Sequence, residues 1–225
     1  MKIRINKAVA FFSAQLLLSS GLILSVKADF GISVATSPAY VLSLAVEKLT
    51  FGTISYLYQG LIFLLMLIII REIKLRYFLS FLSAVIFGYA IDGWTWLLRG
   101  FIPDTIAVRL VTLAASVVLM SIGIATFVVS TLPMLPFDIF VRKLSDTFGY
   151  RFSRVKLIFD LSNLAASVII SLLLFDRLEG VWWATFIFAV VLGPSAGFII
   201  RHFNQRAELT GNLPGWLSEE KKVAG

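Results

Sequence analysis

The sequence contains no cysteine, a single histidine and few charged residues, which make up 15% of its 225 positions. Without cysteine the chain has no disulfide, no thiolate metal site and no cysteine nucleophile. Because His202 is the one imidazole, a cluster of histidine metal ligands is excluded as well. We therefore expect no metal, no other cofactor and no enzyme activity.

Apolar residues are in large excess. They make up 59% of the chain, with a mean hydropathy of +0.92, whereas soluble domains hold about 45–50% apolar and about 25% charged residues. One water-soluble core cannot hide this excess, so the composition predicts an integral membrane protein. A membrane-crossing helix needs roughly 20 mainly apolar residues. Six runs qualify: 8–27, 53–70, 77–98, 106–130, 155–175 and 181–200.

Two shorter segments, 38–50 and 136–149, each begin at a proline and are too short to cross a membrane. Either segment can be a re-entrant half-helix whose N-terminal dipole points into a cavity, or an amphipathic helix on the membrane surface. Five basic residues between 142 and 156 make the second segment suited to anionic lipid headgroups. We expect a surface helix there.

The basic residues predict the orientation of the chain. If only the six long runs cross, 15 of the 20 basic residues fall on one side. Lysine and arginine concentrate in cytoplasmic loops, so both termini are expected in the cytoplasm. The net charge of +7 then reflects topology and not a nucleic-acid partner. Four aromatic residues fall near the opposite face, as in an interfacial belt: Trp94, Trp96, Trp182 and Trp183.

The stretch KADFGISVATSPAY (27–40) interrupts the apolar pattern directly after the first run. It can be a signal-peptide cleavage site, an ordinary loop or the broken start of a half-helix. Val26-Lys27-Ala28 resembles a cleavage site, but the preceding apolar run of about 19 residues exceeds the 7–15 typical of signal peptides. We favour the broken helix, because the second half of the chain has its own proline-started break.

The two halves of the chain resemble each other. At offsets of 98 to 105, three residues of the first half superpose on three of the second: Gly21 on Gly123, Pro38 on Pro136, and Gly88 on Gly193. Each half holds three spans, so the second half must enter the membrane from the opposite side. We predict an all-α integral membrane protein with two inverted three-helix repeats, 1–105 and 106–206, followed by a cytoplasmic tail, 207–225.

Three features resemble the bacterial YitT/YczE/YyaS group of multi-pass membrane proteins over about residues 8–200. They are the KADFGIS stretch, the GTIS sequence at the start of the second span, and the Pro-x-Asp element at 136–138. The first repeat departs from the Ser-Pro-x-Asp that is usual in that group, since Tyr40 stands where the aspartate would be. The resemblance implies a protein of the bacterial inner membrane, with no defined activity.

Polar residues near the first short helix are candidates for a substrate or ion path. Ser33 and Thr36 precede the helix, and Tyr40 and Glu47 fall on one polar stripe of it, together with Thr50. In a re-entrant helix this stripe lines a cavity. In a surface helix it faces water.

Further candidates are ionisable groups in or beside the spans, where charge is costly. Asp92 and Arg109 are both predicted near the outer face, where they can pair as a structural contact or as a gate. Asp138 follows Pro136 by two residues, so its carboxylate can cap the N–H groups of the first turn.

The strongest intramembrane candidates are Gln59 and Asp160, which superpose in the repeat alignment. Asn163 lies on the same helical face as Asp160. Such residues can equally well line a solute path or form hydrogen bonds that hold helices together.

These features favour a small secondary transporter or exporter of an unknown solute. The alternative is a non-transporting accessory or sensor protein that acts through a partner. Expected partners are the bilayer, anionic headgroups at the cytoplasmic face, a small solute and, as one option, a second copy in a homo-oligomer.

Overall fold

The computed structural model describes residues 3–130, 132 and 134–210. Residues 211–225 of the predicted tail lie outside the described residues. The described part contains eight helices and one pair of parallel strands, β1 (Ile3–Asn6) and β2 (Ala207–Thr210). The helices are α1 (Lys7–Ala28), α2 (Ser37–Ala45), α3 (Phe51–Ile70), α4 (Leu75–Leu97), α5 (Ile106–Ser130), α6 (Pro136–Phe148), α7 (Phe152–Phe175) and α8 (Trp183–Arg206).

The prediction of six membrane-spanning helices is confirmed. All helices except α2 and α6 are long and apolar enough to cross a membrane. Large apolar side chains cover their outer surfaces, with Leu173 at 78% and Val190 at 71% exposure. Water would penalise so much exposed apolar surface, whereas lipid does not. The chain is a multi-pass membrane protein.

The spans alternate in direction between two ends of the bundle. At one end, which we call the Arg109 end, α1 finishes where α5 begins, and the Arg109 side chain bonds the carbonyl oxygen of Ala28 at 2.8 Å. The start of α3 meets the end of α4 there as well. At the other end, which we call the Lys156 end, Lys156 lies in the first turns of α7, and β1 pairs with β2.

Helices α1 and α5 form the central antiparallel pair. A Cβ on Gly21 would lie 2.6 Å from Cγ of Met120, and a Cβ on Gly123 would lie 2.8 Å from Cγ of Leu18. Both glycines therefore permit backbones to approach closely, as small residues do between membrane helices. Near the Lys156 end, the rings of Phe11 and Phe127 continue the contact at 5.4 Å.

The remaining helices pack around this pair. Helix α4 packs on α1, and α8 packs on α5. Helix α2 contacts α3 and α7, and α6 contacts the same two helices together with α4. One difference separates the halves, because α3 packs closely on α4 whereas α7 and α8 are at most in marginal contact. The α3–α4 contact is tightest where Gly88 faces the carbonyl oxygen of Gly52.

The first short helix is shorter than predicted. It ends at Ala45 and not at residue 50, so the expected polar stripe breaks off after its first turns. Glu47 is exposed in the turn that follows, and Thr50 is the N-cap of α3, where its hydroxyl accepts a bond from Thr53 N. A threonine so placed satisfies a free backbone donor and starts a new helix.

The second short helix ends at Phe148, one residue before its predicted end, and is capped by Gly149, whose φ of +67° suits glycine. Its first half packs against the bundle, whereas residues 146–148 are exposed. The surface helix stays a prediction. Phe137 and Val141 are buried against Ile62 of α3 and Phe159 of α7. Its other side carries the basic residues of the Lys156 end.

Candidate functional site

A buried polar network joins α2, α3 and α7. The hydroxyl of Tyr58 donates to Oδ1 of Asn163 at 2.7 Å, and Nδ2 of Asn163 donates to the carbonyl oxygen of Phe159 at 2.8 Å. One turn further along α7, the hydroxyls of Ser167 and Ser37 lie 2.6 Å apart. Asn163, Ser167 and Ser37 are all buried. We call these four side chains, Tyr58, Asn163, Ser167 and Ser37, the α7 network.

The Ser37–Ser167 bond sets the depth at which α2 begins. Ser167 lies eight residues before the end of α7, or about 12 Å inside the bundle at 1.5 Å per residue. Ser37 and Pro38 are fully buried, and the Ser37 hydroxyl also lies 2.9 Å from the carbonyl oxygen of Val34. The stretch 27–40 therefore carries the chain from the Arg109 end into the bundle before α2 starts.

Gln59 and Ser55 hold polar atoms that have no hydrogen-bond partner in the described part of the chain. Both residues are at 0% exposure on one face of α3, one helical turn apart. Among the described residues, none bonds the Gln59 amide nitrogen, the Gln59 amide oxygen or the Ser55 hydroxyl. An unsatisfied buried polar group costs about 1–3 kcal/mol in proteins. The interhelical hydrogen bond expected of Gln59 is thus made by Asn163 instead, with Tyr58.

The segment before α2 is anchored to the α7–α8 loop. Ile32 N donates to the carbonyl oxygen of Gly180 at 3.1 Å, and Ala184 N donates to that of Phe30 at 2.9 Å. Gly31 has a φ of +108°, which an L side chain rarely adopts, and a Cβ there would meet Thr185. These contacts hold the descending segment against the Arg109 end of α8.

Ser33, Thr36 and Tyr40 lie along this descending segment. The Thr36 hydroxyl donates to the carbonyl oxygen of Ser33 at 3.1 Å, so it closes a local turn. The ring of Tyr40 stands 5.3 Å from that of Phe51. Burial, with a smaller effect of nearby carboxylates, raises the pKa of Tyr40 to about 12, so its phenol is neutral at physiological pH.

Asp92 and Arg109 bond other groups and not each other, which corrects the expected pair. The carboxylate of Asp92 accepts from Gly52 N at 2.8 Å and from the Thr50 hydroxyl at 2.6 Å, at the N-terminus of α3. Arg109 bonds the carboxylate and backbone oxygens of Asp29 at the C-terminus of α1. Each charge therefore complements a helix dipole.

Asp138 and Asp160 lie at the Lys156 end, outside the α7 network. Asp160 pairs with Lys156 at 2.7 Å and is 22% exposed, so it is not the buried counterpart of Gln59. Asn163 occupies the buried position instead. No bond of the described residues joins the Asp138 carboxylate to a first-turn N–H, so the expected cap is not formed. Burial raises the pKa of Asp138, partly offset by the charge of Lys156.

Sequence reasoning found Gln59 and Asn163 but missed their neighbours. Ser55, Ser167 and Ser171 are fully buried and recur at four-residue spacing with Gln59 or Asn163. Such spacing places hydroxyls on one helical face. This pattern was the signal that could have found them. Tyr58 carried no comparable signal, since an aromatic residue in a span usually faces apolar surroundings.

Another pattern missed by the sequence analysis is GPSAG, residues 193–197. It matches both the Gly-x-Ser-x-Gly of many hydrolases and the Gly-x-x-x-Gly of packed membrane helices. A hydrolase nucleophile stands on a sharp turn between a strand and a helix. This pattern instead lies within the continuous helix α8, which fits the second meaning.

Comparison with known proteins gives one match. Residues 5–201 match the model of a family described as a family of unknown function (DUF6198). Searches of curated proteins and of solved structures each found no significant match.

Proposed function

We propose, for a chain that belongs to DUF6198, a family of unknown function, that it is a small secondary transporter whose solute binds at Gln59. The observation that carries the proposal is the Gln59 amide, buried at 0% exposure, whose two polar atoms find no partner among residues 3–130, 132 and 134–210. In a membrane interior an unpartnered amide is costly. A solute that donates to and accepts from this amide would remove that cost when it binds.

The solute class follows from the uncharged polar side chains buried on α2, α3 and α7. Ser55 and the α7 network offer hydroxyls and amides, none of which carries a charge. The carboxylates of the candidate residues Asp92 and Asp160 are engaged at the ends of the bundle, with Gly52 N and Lys156. A neutral solute rich in hydrogen-bonding groups fits such a site better than an ion does.

Reciprocal packing supports the inverted repeat that such a transporter needs. An offset of 102 superposes Gly21 on Gly123, and the same offset superposes Leu18 on Met120. Gly21 faces Met120, and Gly123 faces Leu18. The repeat therefore maps the Gly21–Met120 contact onto the Gly123–Leu18 contact. Such an exchange of equivalent contacts is expected for two halves related by a two-fold axis.

The other helix contacts favour the same relation. If α1 to α4 correspond to α5 to α8, the α1–α4 contact corresponds to α5–α8, and α2–α7 corresponds to α6–α3. Inverted repeats with broken helices at their interface are common in secondary transporters. Because basic residues cluster at the Lys156 end, we place that end in the cytoplasm. The resemblance to the YitT/YczE/YyaS group favours the bacterial inner membrane.

The test is solute flux in proteoliposomes. Radiolabelled glycerol, urea, acetamide and monosaccharides are offered with and without a pH gradient, and uptake is compared with that of protein-free liposomes. We expect at least one of these solutes to accumulate above the control. Gln59→Met, which keeps the volume and removes the amide, should abolish that uptake. Ser162→Ala, at an exposed site on α7, is the matched control and should leave uptake unchanged.

Stability separates a solute site from a structural contact. Replacing an unpartnered buried amide by an apolar side chain of similar size removes a desolvation cost. Gln59→Met should therefore unfold at an equal or higher denaturant concentration than the parent chain. If instead it is destabilised, Gln59 is structural. If no solute moves while one protein co-purifies reproducibly, the accessory function replaces the transporter.

A further inference from the structure

A pocket of about 490 Å³ lies between α5 and α8. It is lined by four residues from each helix, among them Val118 and Ser121 on α5 and Ser195 and Ile199 on α8. The two serines are its only polar lining residues. Ligand pockets in proteins have volumes of roughly 300–1,000 Å³, so this pocket is large enough for a small molecule.

The hydroxyl of Ser121 has no hydrogen-bond partner among the residues that the structure describes, although Ser121 is only 2% exposed. The two other serines of α5 satisfy their hydroxyls within the helix, since Ser116 donates to the carbonyl oxygen of Leu113 and Ser130 to that of Phe127, both at 2.7 Å. Ser121 lies nine residues before the end of α5, or about 14 Å inside the bundle at 1.5 Å per residue. Acyl chains offer no partner at that depth.

The first half of the chain shows what fills the equivalent space. The offset of 102 superposes α1 on α5, and the offset of 105 superposes α4 on α8, so Val118 and Ile199 have Leu16 and Trp94 as their equivalents. The indole N–H of Trp94 donates to the carbonyl oxygen of Leu16 at 3.1 Å. The Trp94 ring also packs against the apolar cluster between α1 and α4. An indole ring therefore bridges α1 and α4 where α5 and α8 leave a pocket.

The equivalent of the Ser121 hydroxyl is satisfied in the first half. Ser19, which superposes on Ser121, donates to the carbonyl oxygen of Gln15 at 2.8 Å. Val117 is the equivalent of Gln15 and lies one turn before Ser121, yet the Ser121 hydroxyl does not bond its carbonyl oxygen. The second half thus lacks both the bridging ring and a partner for this hydroxyl.

We propose that the α5–α8 pocket binds a small neutral aromatic molecule with one N–H or O–H donor, of which indole is the simplest that matches Trp94. The ligand ring takes the place of the missing indole, and its donor reaches the carbonyl oxygen of Val118 or the Ser121 hydroxyl. No Lys, Arg, Asp or Glu lines the pocket, so a charged ligand would be desolvated without a counterion. The inference uses the proposed repeat relation and is independent of a solute site at Gln59.

Binding of radiolabelled indole to the full chain in lipid nanodiscs tests the proposal, with empty nanodiscs as the background. We expect saturable binding of one indole per chain. 1-Methylindole keeps the ring but lacks the donor, so it should compete about two- to tenfold less well than unlabelled indole. Equal competition would mean a purely apolar pocket, and the absence of saturable binding would mean no site. Either result overturns the proposal.

Four variants locate the bound indole. Ile199→Trp should abolish binding, because the chain's own ring then fills the pocket as in the first half. Ile187→Trp, elsewhere on α8 and 37% exposed, is the matched control and should bind as the parent chain does. Ser121→Ala should weaken binding about two- to tenfold without lowering thermal stability, because its hydroxyl has no bond to lose among the described residues.

Gln59→Met separates this pocket from the proposed solute site and should leave indole binding unchanged. Loss of indole binding in Gln59→Met would assign indole to the solute site and contradict the α5–α8 pocket. Undiminished binding in Ile199→Trp would contradict it as well.

Discussion

Gly88 should be intolerant of any side chain, whereas Gly93 in the same helix should accept one. A Cβ at Gly88 would lie 2.6 Å from the carbonyl oxygen of Gly52 and 2.8 Å from a ring carbon of Tyr56. The carbonyl belongs to the backbone of α3 and cannot rotate away, so α3 and α4 must separate. At Gly93, no atom of the described residues lies within 4 Å of an added Cβ.

The magnitude follows from the difference between two alanine variants. Overpacking a close contact costs about 1–3 kcal/mol. Both substitutions gain about 1 kcal/mol of helix propensity, and this gain cancels when the variants are compared. Gly88→Ala should therefore unfold with a free energy about 1–3 kcal/mol lower than Gly93→Ala. Separating α3 from α4 also lengthens the bond from Gly52 N to Asp92, which acts in the same direction.

Titration with sodium dodecyl sulfate in mixed micelles measures this difference, with fluorescence of the five tryptophans as the signal. The parent chain and both variants are compared at the same low protein concentration. Equal unfolding free energies for the two variants would refute the close α3–α4 contact. A larger loss for Gly93→Ala would refute the assignment of the contact to Gly88.

Three further predictions concern single contacts. Ser37→Ala and Ser167→Ala should show a coupling of about 0.5–1.5 kcal/mol in a double-mutant unfolding cycle, whereas additive effects would mean no bond. Arg109→Gln should lower the unfolding free energy by about 1–3 kcal/mol, and Arg109→Lys should restore part of that loss. An unchanged unfolding free energy for Arg109→Gln would mean that the bonds of Arg109 to the end of α1 do not stabilise the fold. Burial raises the folded-state pKa of Asp138, so its contribution to stability should be lost as pH rises above the ordinary 3.8, and Asp138→Asn should flatten that decline in a pH series.

Much of the fold could be predicted because lipid imposes a simple rule on sequence. Each span needs about 20 apolar residues, and the predicted bounds agree with the observed helices to within a few residues at most ends. The glycines at 21 and 123 could be recognised as packing sites from their repeat. The six spans and these two packing glycines therefore followed from the sequence alone.

Contacts between distant segments could not be predicted in the same way. Asp92 and Arg109 were expected to meet because both lie near one end of the bundle, yet each is drawn to a different helix terminus. Asp160 was placed in the interior, although Lys156 one turn earlier keeps it in a paired, partly exposed position. A local ion pair along a helix competes with burial, and periodicity alone does not show which prevails.

The length of the first short helix could not be predicted from the spacing of its apolar and polar residues. The apolar and polar residues of 38–50 continue a helical period, but the helix stops at Ala45. Thr50 begins α3 by capping it, with Asp92 beside it. The partner that decides this boundary lies 42 residues away, so no local signal could have revealed it.

The most direct test of the transporter account is labelling of Gln59→Cys with a membrane-impermeant thiol reagent from each side of the membrane. Right-side-out and inside-out vesicles are compared, with Ile73→Cys, 76% exposed in the α3–α4 loop, as the one-sided control. Alternating access predicts slow labelling from both sides at Gln59→Cys, since the site is closed in the state described here. Labelling from neither side would contradict the account and leave Gln59 as a packing residue, and labelling from one side alone would indicate a receptor pocket.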